Sequence, residues 1–135
     1  MAVEEGERPV NAHLDTHVAL WLVAGETRRL RPIRTHLTRA TLFVSPFAVV
    51  EMEILREIGR IREPVAAILD ILRDDHGVAE ARGDLHDIAG RARLLAWTRD
   101  PFDRFIVAHA LAAGATLLTA DDTIRAQCPR ARWDA

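Results

Sequence analysis

Short β-branched, apolar runs alternate with helical stretches along most of this chain. The clearest strand candidates are TLFVS (residues 41–45) and ATLLT (115–119), because β-branched and aromatic residues fit buried strands. VNAHLD (10–15), VAEA (78–81) and RARW (130–133) have the same character more weakly. Strands separated by whole helices pair in parallel, with the helices packed on the sheet. The pattern therefore predicts an α/β fold with a central parallel sheet.

Glycines and prolines give the helix boundaries, since glycine commonly follows a helix and proline suits its first turn. The last helix is short and starts at Asp121 or Asp122. The other predicted helices span residues 17–23, 30–37, 46–59, 63–74, 84–95 and 100–113. Trp21 and the four phenylalanines fall on apolar faces of the predicted elements and are predicted to lie in the core.

A chain of 135 residues has room for one hydrophobic core and is too short for two. Residues 1–9 are charged and lack the apolar segment of a signal peptide, so we expect a flexible N-terminal extension followed by a single domain at 10–135. No apolar run is long enough to cross a bilayer. We therefore expect a cytoplasmic protein that does not associate with membranes.

The charge balance argues against binding of nucleic acid by bulk charge. The formal net charge is −2, and all 18 cationic side chains are arginine. A domain that holds polyanions by overall charge is usually strongly basic, so a nucleic-acid function would require arginines gathered on one face. Cys128 is the single cysteine, and the six histidines show no zinc-ligand spacing.

Acidic residues follow two of the predicted strands. Asp15 comes at the end of the first strand, and Asp121 and Asp122 follow ATLLT. Ligands of open parallel sheets bind beyond the carboxyl ends of the strands, so these acids are candidates for a functional site. Asp121 or Asp122 could equally cap the last helix.

Two helices place acids among apolar residues. On the predicted helix 46–59, apolar residues form a stripe, and Glu51 lies within the wider apolar side around that stripe. Glu53 lies at the opposite edge of this apolar side. On the helix after Asp100, which is a good N-cap, Asp103 lies beside the apolar face. A carboxylate facing a core needs an arginine or a metal ion to neutralise it. The apolar stripe predicted for the helix 46–59 consists of Phe47, Val50, Ile54, Ile58 and Ile61.

Taken together, four segments resemble the PIN domain family, and within it the VapC-type toxin ribonucleases. They are LDTHVALW (14–21), VSPFAVVEMEIL (44–55), RDPFDRFIVAHALAAGATLLTAD (99–121) and the ending with Trp133. The resemblance implies a three-layer α/β/α sandwich with a central parallel sheet. It also implies an endoribonuclease that hydrolyses RNA phosphodiester bonds with a water activated by Mg²⁺ or Mn²⁺.

Matching the motifs residue by residue implies a set of site residues. The four site acids are Asp15, Glu51, Asp103 and Asp121. Asp15, Asp103 and Asp121 would bind the metal, and Glu51 would orient or deprotonate the attacking water. Accessory acids are Asp100 and Asp122, and weaker candidates for substrate contact are Thr16, Arg99 and Arg104. Glu53 is the alternative to Glu51, and Asp122 is the alternative to Asp121.

The same resemblance implies partners. A VapC-type toxin belongs to a type II toxin–antitoxin pair, so we expect an RNA substrate, a VapB-like antitoxin that inserts a peptide into the site, and a homodimer. Two alternatives stay open: a PIN-fold nuclease acting on DNA or on other RNA outside such a pair, and a non-catalytic metal-binding interaction module. A haloacid-dehalogenase-type phosphatase would need an acid where His17 stands, and a receiver domain would need a lysine.

Overall fold

The structure is a computed structural model that describes residues 10–135. Residues 1–9, predicted as a flexible extension, lie outside the described residues. The strands are β1 (Asn11–Leu14), β2 (Thr41–Val44), β3 (Ala79–Glu80), β4 (Thr116–Leu118) and β5 (Ala131–Arg132). The helices are α1 (Thr16–Ala24), α2 (Thr27–Leu30), α3 (Arg34–Arg39), α4 (Pro46–Glu57), α5 (Val65–His76), α6 (Leu85–Ala92), α7 (Pro101–Ala113) and α8 (Asp122–Gln127). No helix among residues 10–135 combines the length and apolar character needed to span a membrane.

All five strands are parallel, in the order β3-β2-β1-β4-β5. Leu14 at the end of β1 is in register with Val44 on one side and with Leu118 on the other. The chain builds the sheet outward from β1 through β2 and β3, and then returns to place β4 on the opposite side. The strand order therefore reverses between β1 and β4, which is where such sheets open a ligand crevice. The predicted α/β fold with a central parallel sheet is confirmed.

The prediction of one continuous helix over residues 30–37 is wrong. The segment consists of α2, a 3₁₀ turn at Arg31–Ile33 and α3. Pro32 explains the interruption, because its ring lacks an N–H and would clash with the carbonyl one turn earlier in a continuous α-helix. Leu30 and Ile33 are buried and fix the segment to the core.

The apolar stripe predicted for α4 is confirmed only at its two ends, where Phe47 and Ile61 pack against the core, and is wrong between them. Ala48 and Met52, one turn apart, are the fully buried residues of α4. Val50, Ile54 and Ile58 are 52%, 38% and 63% exposed. The face that carries Ala48 and Met52 packs against the core, so Val50 and Ile54 point away from it. Glu51 is still half-buried, as a neighbour of Met52 rather than as a member of the stripe.

Candidate active site

Asp15 lies where β1 ends, at the point where the strand order reverses. It is the N-cap of α1, and its Oδ1 accepts a hydrogen bond from the Thr16 amide at 2.9 Å. Its Oδ2 accepts from the Thr119 hydroxyl at 2.7 Å. Thr16 follows β1, and Thr119 follows β4. The two oxygens of Asp15 are therefore held from both strand ends, which fixes the orientation of its carboxylate.

Thr119 connects the two acids that follow β1 and β4. Its side chain is fully buried, and its hydroxyl oxygen accepts from the Asp121 amide at 3.1 Å while donating to Asp15. Asp121 in turn caps α8 by accepting from the Ile124 amide at 2.9 Å. The cap that sequence analysis left open between Asp121 and Asp122 therefore falls on Asp121.

Glu51 is brought to the same place by α4. Its Oε1 accepts a hydrogen bond from the hydroxyl of Thr16, a residue with no exposed surface. Thr16 was a candidate for substrate contact, but its burial leaves no surface for a substrate. It instead holds the Glu51 carboxylate beside the start of α1.

The start of α7 supplies the remaining acids. Asp100 is the N-cap and accepts from the amides of Phe102 at 2.8 Å and Asp103 at 3.4 Å. Asp103 lies in the first turn. Both acids border a cavity of about 350 Å³, whose lining residues are Asp15, His17, Val18, Trp21, Glu51, Asp100, Asp103, Ala120 and Asp121. We refer to this cavity as the acidic cavity.

Crowded carboxylates and burial raise the pKa of three acids. The pKa of Asp103 rises to about 7, first because of burial and then because of the charges of Asp100, Asp15, Asp121 and Glu51. Burial likewise raises the pKa of Asp15 and of Glu51, although hydrogen bonds from the two threonines oppose the shift. No arginine lines the cavity. His17 is the one basic residue of the lining, and its charge opposes the rise in the pKa of Asp15 and Glu51. A bound cation would relieve the remaining repulsion among the carboxylates.

The donor set fits a hydrated divalent ion. Every acidic donor is a carboxylate oxygen, and Mg²⁺ prefers such hard ligands while keeping several waters and taking one or two carboxylates. Among residues 10–135, no three His, Cys, Asp or Glu side chains stand close enough together to hold a metal ion as they are. The carboxylates would have to close around an ion or reach it through water.

Two of the alternative acids are not brought to the acidic cavity. The side chain of Asp122 is 92% exposed and pairs with Arg125. Glu53 is exposed and lies 4.0 Å from Arg56 on the outer side of α4. The structure thus separates Glu51 from Glu53, and Asp121 from Asp122, by their positions relative to the cavity.

The two arginines proposed to contact substrate are also outside the acidic cavity. Arg104 donates to the carbonyl oxygen of Thr98 at 2.8 Å, and Arg99 donates to that of Ala96 at 2.9 Å. Both guanidinium groups stabilise the loop before α7, so no contact with the cavity supports a substrate role for them.

The role of Thr119 was not predicted from the sequence. The available signal was a hydroxyl two residues before Asp121, at a strand end. Trp21 packs against the core as predicted, but it is only half-buried and its other side forms a wall of the acidic cavity. Its ring packs against Trp133 with 5.8 Å between centroids, and this contact orients the wall.

We expect replacement of Thr119 by valine to lower any activity of the acidic cavity without unfolding the protein. Valine keeps the shape but removes the donor to Asp15 and the acceptor for the Asp121 amide. Because that hydroxyl lowers the pKa of Asp15, its loss should shift the acidic limb of the pH–rate profile to higher pH. We expect about a 10-fold to 100-fold lower rate at neutral pH. Thr116→Val, at the start of β4, is the matched control, and an equal loss there would contradict the assignment.

The fold and the cavity define a class: a parallel α/β protein with carboxylates gathered where its sheet reverses direction. A family model described as PIN domain matches residues 12–128. The chain belongs to the PIN domain family. Proteins of this family are generally nucleases, and these nucleases generally use divalent metal ions.

A solved structure supports the fold independently. The chain is similar to one described as the crystal structure of VapBC2 from Rickettsia felis bound to a DNA fragment from their promoter. The TM-score is 0.68 at 17% sequence identity, and the match covers 93% of this chain and 100% of that one. A comparison with curated proteins found no match.

Proposed function

We propose that this chain is a Mg²⁺- or Mn²⁺-dependent endoribonuclease and the toxin of a VapBC-type toxin–antitoxin pair, acting in the cytoplasm. The observation that carries the proposal is the convergence of Asp15, Glu51, Asp103 and Asp121 on one cavity without an arginine among its lining residues. Acids of a purely structural kind would be expected to pair with some of the 18 arginines.

The proposed chemistry assigns a task to each carboxylate. Asp15, Asp103 and Asp121 hold the metal ion directly or through water. The ion supplies a lowered water pKa and stabilisation of negative charge on the phosphoryl oxygens. Glu51, fixed by the Thr16 hydroxyl, orients the attacking water and accepts its proton, for which its raised pKa suits it. Asp100 adds negative charge at the mouth of the cavity.

The proposed partners follow from the same surfaces. An antitoxin peptide carrying an arginine would find several carboxylates and no competing arginine in the lining of the acidic cavity. The similarity to the VapBC2 structure agrees with such a partner. The exposed face of α4, with Val50, Ile54 and Ile58, offers an apolar surface for the proposed homodimer.

Labelled RNA and a DNA strand of the same sequence test the activity. We expect cleavage of RNA with Mn²⁺ or Mg²⁺, no cleavage with EDTA, and recovery when excess metal is restored. Cleavage of DNA alone would support the alternative nuclease. Metal binding without cleavage of either strand would support the interaction module and overturn the enzymatic proposal.

A further inference from the structure

Five arginines are concentrated between α1 and β2. No acidic residue occurs from Thr27 to Val50, so this stretch is strongly basic in a chain whose net charge is −2. All five side chains belong to exposed residues. We call them the arginine strip: Arg28, Arg29, Arg31, Arg34 and Arg39.

The arginine strip is unpaired within the described residues. The ion pairs among residues 10–135 involve arginines of α4, α5, α6 and α8, and none of the strip. Leu30 and Ile33 are buried on the inner side of the same segment, and Leu37 packs against the core. The scaffold is therefore fixed while its cations face water, where a polyanion can reach them.

One contact joins the arginine strip to the acidic cavity. The Arg29 guanidinium lies over the ring of Trp21, 5.0 Å from its centroid. Trp21 is itself a wall of the cavity. The cationic surface thus begins immediately behind the cavity wall and continues along α2, the 3₁₀ turn and α3.

The acidic cavity has little means of attracting a phosphate backbone by its own side chains, because five of its lining residues are acidic and none is an arginine. The affinity for a strand must then come mainly from cations elsewhere on the surface. We propose that the arginine strip binds the phosphate backbone of the RNA strand and positions it at the acidic cavity, an inference that rests on the proposed nuclease function. The arginines that sequence analysis required on one face are, on this proposal, those of the strip.

The salt dependence of RNA binding tests the proposal. Single-stranded RNA is titrated with the Asp15→Asn chain in Mn²⁺, so that binding is measured without cleavage. The strip variant is Arg28→Gln/Arg31→Gln, which spares the Arg29 contact with Trp21. The control is Arg73→Gln/Arg91→Gln, which removes the same charge from arginines already paired with acids of their own helices.

Counterion release gives the expected numbers. Five phosphate contacts correspond to a log–log salt slope of about −3.5, or roughly a 100-fold loss of affinity from 50 to 200 mM salt. The strip variant should have a slope of about −2, or roughly a 20-fold loss, and should bind more weakly at 50 mM. The control should keep the slope of the parent chain. In the Asp15-containing chain, the strip substitutions should raise KM for RNA more than they lower kcat.

Three results would overturn the proposal. The first is an unchanged salt slope in the strip variant, and the second is an equal change of slope in the control. The third is a strip variant that binds RNA normally but no longer binds the antitoxin. The last would assign the strip to a protein partner. A chain that binds RNA with the expected slope but never cleaves it would overturn the proposed nuclease function and leave the strip assigned. RNA cleavage by the parent chain, with no effect of the strip substitutions on RNA binding, would overturn the role of the strip and leave the proposed nuclease function standing.

Discussion

The Asp15→Asn variant should lose the proposed RNA cleavage by about 10²-fold to 10³-fold, as expected for removing an electrostatic element of a hydrolytic site. It should nevertheless fold. Asn caps helices as well as Asp, and its side chain can keep partners in Thr16 and Thr119. Burial raises the pKa of Asp15, which means that the folded state disfavours its charge. The neutral amide should therefore leave the melting temperature unchanged or raise it.

This opposition between activity and stability separates a site acid from a structural one. A structural Asp15 would lose stability and activity together, whereas a site acid should lose activity alone. Asp122→Asn is the matched control, because that side chain is exposed and pairs with Arg125. Cleavage rates and thermal unfolding of both variants, at neutral pH with saturating Mn²⁺, give the comparison. Cleavage by Asp15→Asn at more than about a tenth of the parent rate would contradict the assignment.

The order of elements could be predicted from the sequence because each one carries a local signal. Ser45 and Asp100 accept hydrogen bonds from the first turns of α4 and α7, where Pro46 and Pro101 also stand. Gly114 takes the left-handed conformation at φ 63° that ends α7. Local signals of this kind act within a few residues, so tertiary contacts did not have to be known.

Predictions that depended on which side of a helix faces the core were less reliable. Apolar character alone placed Val50 and Ile54 inward, but packing selected the smaller Ala48 and the flexible Met52. The contact between Thr119 and Asp15 spans 104 positions of sequence, and nothing local predicts it. The acids could be proposed from their positions at strand ends, whereas the hydroxyls that orient them became visible only in the folded structure.

Metal binding should stabilise the protein in a pH-dependent way, through the acids whose pKa is raised. Asp103 has a pKa of about 7 in the fold, well above the usual 3.8 of an aspartate side chain. Between about pH 4 and pH 7 the folded state therefore retains a proton that the unfolded chain has released. Without metal, this residue makes the free energy of unfolding fall as pH rises through that window. The loss ends once Asp103 is ionised in both states.

A divalent ion should reverse this loss, because it binds the ionised carboxylates of the folded state. At pH 8 and Mn²⁺ near 100 times its Kd, we expect about 2.7 kcal/mol of stabilisation and a rise in Tm of about 10 °C. At pH 5 the rise should be small, since protons then compete for Asp103 and its neighbours. Asp103→Asn should flatten the metal-free pH dependence and reduce the Mn²⁺ effect, whereas Glu53→Gln should change neither. Thermal unfolding at both pH values, with Mn²⁺ or EDTA, measures the difference. Equal Mn²⁺ effects at pH 5 and pH 8 would show that the ion binds somewhere other than these crowded carboxylates.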